Sequence, residues 1–142
     1  YYELVGNASA RLWWYNGSQF ANWRAEYYTN KGLSGIPAVI QNDAEINFDW
    51  QGPPVAGVPY DGFSVRWTGI LFLEAGNYTF KATADDGVRL WVDEIQGLNE
   101  WRDQGPTEFI SFLPLGSGVH FVRMEYYQNT YGATARLSWT KE

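Results

Sequence analysis

An antiparallel all-β fold, a β-sandwich or partly closed β-barrel with no substantial helix, is predicted by three features of the sequence. Apolar and polar residues alternate in stretch after stretch, the period of a half-buried strand. Aromatic residues are abundant, with 8 Trp, 10 Tyr and 8 Phe, and such rings pack well on pleated surfaces. The chain is also punctuated at short intervals by 15 Gly and 6 Pro, and no window carries a convincing helical period.

The elements follow in order. Residues 1–22 read as an N-terminal extension or an added edge strand, in which Arg11-Leu12-Trp13-Trp14-Tyr15 precedes an Asn16-Gly17-Ser18 turn. Residues 23–142 form the main β-domain, opening with an aromatic-rich strand from Trp23 to Thr29. Leu33 to Pro37 is loop, and Glu45 to Trp50 sets Ile46, Phe48 and Trp50 on one face. Gln51 to Pro59, with its Gly and Pro residues, must cross the surface. Phe63, Val65 and Trp67 then alternate with Ser64, Arg66 and Thr68, and Gly69 suggests a bulge or bend. Glu74-Ala75-Gly76-Asn77 turns the chain into a central hairpin, whose arms are Tyr78 to Thr83 and Val88 to Asp93. Glu94 to Gly105 is polar and reads as irregular. Strands from Phe109 to Leu115 and from Val119 to Gln128 are joined by Gly116-Ser117-Gly118, and Ala133 to Lys141 closes the chain. One internal echo stands out, Trp-Arg-Ala-Glu-Tyr-Tyr-Thr-Asn from Trp23 against Val-Arg-Met-Glu-Tyr-Tyr-Gln-Asn from Val122. The chain between them is not duplicated, so the pair reads as two strands in similar sheet environments.

The totals exclude several function classes. With 142 residues the chain suits one domain with a real core. The formal charge of −6 and the lack of a Lys/Arg cluster argue against nucleic acid as a partner. The absence of Cys excludes disulfides and thiolate metal sites. No run is apolar for long enough to span a bilayer as a helix, so no membrane insertion is expected. The start, Tyr1-Tyr2-Glu3-Leu4, is not a signal peptide, and the missing initiator Met suggests a piece of a longer protein with other domains.

Asp85-Asp86-Gly87 is the unusual stretch. Adjacent carboxylates repel unless something positive lies beside them. Either they hold a divalent cation through oxygen ligands, or one Asp caps backbone N–H groups in a structural turn. Neighbouring side chains on a regular strand point to opposite faces, so gripping one ion requires a departure from strand geometry there. Gln128 and Asn129 offer further amide or backbone oxygens.

The sequence resembles the domain family named after the N-terminal piece of anthrax protective antigen, the PA-fourteen domain, from about Trp23 to Trp139. The resemblance rests on Ala25-Glu26-Tyr27-Tyr28, Leu33-Ser34-Gly35-Ile36-Pro37, Ile46-Asn47-Phe48-Asp49-Trp50 and Phe63-Ser64-Val65-Arg66-Trp67-Thr68-Gly69. Gly76-Asn77-Tyr78-Thr79-Phe80, the run from Asp85 to Asp93, Val122 to Tyr127 and Leu137-Ser138-Trp139 complete it. It implies a β-barrel or sandwich module of secreted or cell-surface proteins, among them glycosidases, toxins and adhesins, several of which bind carbohydrate through calcium. In those members the paired Asp are joined by a cis peptide and hold the ion with a loop between the last two strands. The matching positions are Asp85, Asp86 and the loop Gln128-Asn129-Thr130-Tyr131-Gly132, so the expected metal ligands are Asp85, Asp86, Gln128 and Asn129. In place of the Gly that usually follows Val92-Asp93, this chain has Glu94. The long extra loops of fungal adhesins are absent.

For the sugar itself, Trp101 and Tyr131 are the aromatic residues expected to stack on a ring, although Trp101 reads equally as a loop anchor. Arg102, Asp103 and Gln104 are candidate partners for hydroxyls. An enzyme is not expected: a glycosidase needs two carboxyls facing each other across its substrate, and adjacent Asp residues would rather share an ion. The single His, His120, lies within a strand pattern and reads as a buried or paired structural residue. Arg66, Arg89 and Arg123 alternate with apolar residues and read as sheet-surface or ion-pair groups. The function expected is a non-catalytic, calcium-dependent carbohydrate-binding module, lectin-like and suited to adhesion. The rivals are a structural or protein-interaction β-domain without ligand and an accessory domain of a glycosidase.

Overall fold

Ten antiparallel strands, and no helix, make up the part of the chain that the computed structural model describes, residues 22–142. They are β1 (Trp23–Tyr28), β2 (Val39–Asp43), β3 (Asn47–Trp50), β4 (Ser64–Leu73) and β5 (Gly76–Asp85), followed by β6 (Gly87–Val92), β7 (Ile95–Glu100), β8 (Thr107–Leu115), β9 (Gly118–Tyr127) and β10 (Ala133–Lys141). Six of them form a sheet ordered β2-β1-β4-β9-β6-β7, and four form a second sheet ordered β3-β10-β5-β8. The all-β expectation holds in its sandwich form, with two sheets rather than one closed barrel. The expected N-terminal extension lies almost wholly outside the described residues.

The alternation read from the sequence is the alternation of burial. Ala25, Tyr27, Val65, Trp67, Val88, Leu90, Val122, Met124 and Tyr126 face inward from the larger sheet. Tyr78, Phe80, Ala82, Ala84, Ala135 and Leu137 meet them from the smaller one. Each large side chain so buried contributes roughly 1.5–3 kcal/mol. Trp67 is fully buried at the centre, 6.3 Å from Tyr126, 5.9 Å from Phe48 and 6.5 Å from Tyr27 between ring centroids. Its Nε1 donates to Asp43 Oδ2 at 2.8 Å, as does the Tyr27 hydroxyl at 2.8 Å, which satisfies a carboxylate inside the core. Burial, followed by the charge of Asp43, raises the Tyr27 pKa.

Three local expectations are corrected. The central hairpin does not exist, because β5 lies in the smaller sheet and β6 in the larger, so the chain changes sheets at Asp85-Asp86. The turn at Gly116-Ser117-Gly118 joins β8 to β9 as expected, and these two strands also belong to different sheets. Gly69 makes no bulge: β4 pairs with β9 without a register shift from Ser64↔Tyr127 to Leu73↔Gly118. It is Gly because a Cβ there would lie 2.5 Å from the Trp23 ring. The polar stretch after Asp93 contains β7, hidden in the sequence because only Leu98 among its residues is buried. β2 likewise gives no strand signal in the sequence, because its one buried side chain is the acidic Asp43.

The echo between Trp23 and Val122 has a structural meaning. β1 and β9 flank β4 on its two sides, and matching residues occupy matching rungs. Glu26 and Glu125 both stand opposite Arg66, whose guanidinium reaches Glu125 at 2.9 Å and Glu26 at 3.4 Å. Arg89 adds a second contact to Glu125 at 2.9 Å. The three arginines therefore act as ion-pair groups on the outer face, as expected, Arg123 lying 3.8 Å from Glu125.

At the opposite end of β6, Asp93 and Glu94 form a tight two-residue hairpin turn with φ of 51° and 69°. Both lie in the left-handed region, as a turn of this kind requires. Asp93 is tied down: its Oδ1 accepts from Phe121 N at 2.8 Å, and its Oδ2 faces His120 Nδ1 at 2.5 Å. His120 Nε2 points at Gly116 O at 2.7 Å, so both ring nitrogens face oxygens and the doubly protonated imidazolium suits the site. Burial acts to lower the His120 pKa, but the Asp93 hydrogen bond, the Gly116 carbonyl and the Asp93 charge outweigh it and raise the value. His120 is thus the paired structural residue anticipated.

Two measurements check this turn. Glu94→Gly is expected to stabilise the domain by about 0.5–1 kcal/mol in urea unfolding, because a left-handed L-residue costs roughly 1–2 kcal/mol and Gly's greater unfolded freedom offsets part of it. The stability contributed by His120 should be fully present below about pH 6.5 and should fade as pH rises through the raised folded pKa. Unfolding curves of the wild type and His120→Gln should therefore differ most at acid pH and converge in alkali.

Candidate functional site

Five loops meet where β5 stops and β6 begins. Because the chain must cross between sheets there, Asp85 and Asp86 sit at the rim of the sandwich with residues of both sheets around them. The peptide bond between them is cis, as the resemblance implied. Both residues are largely buried, and the main chain is pinned on either side: Tyr126 donates its hydroxyl to Asp85 O at 2.6 Å, and Asp86 N donates to Tyr127 O at 3.2 Å.

Asp86 organises two of the loops. Its Oδ1 accepts from the main-chain N of Gln104 at 3.0 Å, in the β7–β8 loop. Its Oδ2 accepts from the main-chain N of Asn129 at 2.8 Å, in the β9–β10 loop. Gln104 returns its side-chain amide to Asp86 O at 2.9 Å. Asn129 donates through Nδ2 to Asp103 Oδ2 at 2.9 Å, and Asp103 Oδ1 accepts from the Tyr127 hydroxyl at 2.6 Å. Burial and then the Asp103 interactions raise the Tyr127 pKa. Lys31, from the β1–β2 loop, places Nζ 3.0 Å from Asn129 Oδ1, and Gly62 N reaches Asn129 O at 3.0 Å from the β3–β4 loop.

Most of the residues singled out in the sequence therefore converge. Asp85, Asp86, Asp103, Gln104, Gln128 and Asn129 form one connected group. Trp101 is half-buried beside it, its ring 4.8 Å from Tyr127 and 3.7 Å from the Arg89 guanidinium. Tyr131 projects from the β9–β10 loop with 87% of its surface exposed and a φ of 71°. Arg102 stands apart, paired with Glu100 and lying over the Phe109 ring. Lys31, Arg89, Tyr127 and Gly132 complete the group without having been singled out as site residues. Of these, Tyr127 carried a sequence signal in the echoed Glu-Tyr-Tyr run, and Gly132 in the loop that matches the family's metal-holding loop.

The electrostatics are those of an unbalanced acid pair. Burial, and then the neighbouring charge of Asp86, raises the Asp85 carboxyl to about 6. Among the described residues no Lys or Arg forms an ion pair with Asp85, Asp86 or Asp103. A Cβ on Gly132 would come within 2.6 Å of Asp85 Oδ2, so the β9–β10 loop closes directly on that carboxylate.

A family model for the PA14 domain matches residues 21–142. The chain belongs to the PA14 domain family. The anti-sigma-I factor RsgI3 of Acetivibrio thermocellus is 39% identical over 122 residues, which is 84% of this chain and 19% of that protein. A solved anti-sigma factor domain-containing protein matches with a TM-score of 0.80 and 38% identity, over 84% of this chain and 43% of its own. This PA14 domain therefore spans about a fifth of the curated relative and under half of the solved one. A solved PA14 sugar-binding domain from an RTX adhesin shares the fold at 22% identity, with a TM-score of 0.64 over 84% of this chain and 89% of its own.

The donor set of the PA14 domain fits a hard cation by its chemistry. Gln128 is fully buried; its Nε2 donates to Tyr131 O at 3.1 Å, while its Oε1 has no hydrogen-bond partner. No donor among the described residues reaches the Asp85 carboxylate. These groups are all oxygens, the kind that calcium takes in sets of roughly 6–8. Among the described residues no cluster of three or more His, Cys, Asp or Glu forms, so amide and carbonyl oxygens would have to complete the shell. Asn129 is the least available of the four expected ligands, with Oδ1 facing Lys31 and its main-chain O facing Gly62.

Asp86→Ala should release both loops at once. Hydrogen exchange at the amides of Gln104 and Asn129 is expected to rise together, with a stability loss of about 3–6 kcal/mol for two bonds to a charged acceptor. The pKa of Asp85, read by NMR, should fall toward the ordinary carboxylate range in the same variant.

Proposed function

We propose that this PA14 domain is a non-catalytic carbohydrate-binding module of a larger secreted or cell-surface protein, taking glycan hydroxyls at the Asp85-Asp86 end with calcium as its resident cation. One observation carries the reading: two adjacent, largely buried carboxylates have no Lys or Arg neutralising them, and Gln128, the neighbour in sequence of the Asn129 that binds Asp86, leaves its buried Oε1 without a partner. Asp85, Asp86 and Gln128 would hold calcium, joined by Asn129 if Lys31 swings away. Bound there, calcium would supply open coordination positions for vicinal hydroxyls.

The chain's own groups do the remaining work. Asp86 keeps the Gln104 and Asn129 loops in register. Tyr131 presents an exposed ring to the apolar face of a sugar. Trp101 is held edge-on against Tyr127 and under Arg89, so it serves as a rigid wall. Asp103 is engaged by Tyr127 and Asn129, which suits positioning better than acid–base chemistry. The sugar-binding domain named among the structural neighbours supports the ligand class. The anti-sigma-factor relatives support a regulatory setting, in which carbohydrate occupancy would be the input to a longer protein.

Calorimetry with a panel of soluble glycans tests the reading. Heat is expected with at least one glycan in calcium, and it should vanish in chelator and in Asp86→Asn. Heat unchanged by chelator overturns the calcium bridge, and no heat with any glycan leaves a structural or protein-interaction domain. Calcium must displace the proton from Asp85, which titrates at about 6. Calcium affinity should therefore be steady above pH 7 and fall by up to about tenfold per pH unit below 6.

A further inference from the structure

The outer face of the larger sheet carries a second concave surface, at the end of β6 away from Asp86. Trp91 on β6 stands directly opposite Arg123 on β9. With Thr68, Glu94 and Phe121 they line a shallow groove of about 190 Å³. The Arg123 guanidinium lies 4.1 Å from the Trp91 ring centroid. Its Nε is buried without a hydrogen-bond partner, and its contact with Glu125 is a distant 3.8 Å. The Glu94 side chain has no hydrogen bond or ion pair among the described residues. Phe121 is 63% exposed.

We propose that this groove is a second carbohydrate subsite, binding a ring of a neutral polysaccharide chain without any cation. A sugar ring has an apolar face and a rim of hydroxyls, so it needs aromatic surface with donors and acceptors in one depression. Trp91 and Phe121 supply the surface, Arg123 the donors, Glu94 the acceptors and Thr68 both. The two opposite charges share the groove without pairing with each other, which gives it no net charge and suits a neutral ligand rather than an ionic one. A row of stacked groups links it to the first site: Arg89 lies 5.8 Å from Trp91 and 3.7 Å from Trp101, which packs 4.8 Å from Tyr127. A polymer can follow that row, whereas a single sugar occupies one end. The inference takes only its ligand class from the proposed function.

Affinity electrophoresis in gels containing a soluble β-glucan, xylan or mannan, run with chelator, tests it. The wild type should be retarded by at least one polymer. Phe121→Ser and Glu94→Gly should each weaken that retardation at least about fivefold, as expected for residues in a binding hot spot. Both altered residues are surface positions, and thermal melts confirm that the variants are folded. Retardation unmoved by both variants overturns the subsite. Binding that appears only with calcium overturns the subsite and leaves the Asp85-Asp86 reading standing. Retention in chelator that Phe121→Ser abolishes, with no response to calcium, upholds the groove and removes the cation from the proposed function. No binding under either condition removes both.

Discussion

The rim of this sandwich depends on one carboxylate, that of Asp86. Its two oxygens accept the main-chain N–H groups of Gln104 and Asn129, residues of two loops that each cross from the larger sheet to the smaller. Hydrogen bonds to a charged acceptor contribute roughly 1.5–3 kcal/mol each, more than neutral ones. Few other groups reach both loops at once, since Asp103 adds only the side chain of Asn129. The positions of Trp101, Asp103 and Tyr131 are thus consequences of where Asp86 sits. Asp86 sits there because the chain changes sheets at that residue.

The pair also sets the electrostatics. Two neighbouring acids, mostly shielded from water and unpaired with cations, are held close by the fold at a cost expressed in the raised pKa of Asp85. Arg66 and Arg89 are spent elsewhere, on Glu125 and Glu26. Arg89 belongs to both systems, since it holds Glu125 and covers the Trp101 ring. Charge and aromatic surface consequently alternate along β6, from Tyr127 and Trp101 to Trp91 and Arg123.

Periodicity along a chain reports burial and not pairing. Tyr78 to Asp93 alternates as two strands with a short joint, the pattern of a hairpin. The joint is nevertheless a crossover, because Ala84 and Val88 face the core from opposite sheets. Gly69 signals an irregular backbone by residue type, whereas the register is unbroken and the true constraint is the Trp23 ring. β2 and β7 were passed over because edge strands bury so little that their composition looks like loop. The same blindness hid Lys31, whose role comes from a hydrogen bond across 98 positions of sequence.

Local chemistry was enough to establish the all-β class, the inward-facing rows, the structural part played by His120 and the peculiarity of two adjacent acids. These follow from side-chain period and from charge repulsion between neighbours, both properties of short stretches of chain. The membership of each strand in one sheet or the other, the gathering of five loops around Asp86, and the groove between Trp91 and Phe121 needed the folded molecule. They rest on contacts between residues far apart in the chain, and such contacts are set by how two twisted layers pack, which no single stretch encodes.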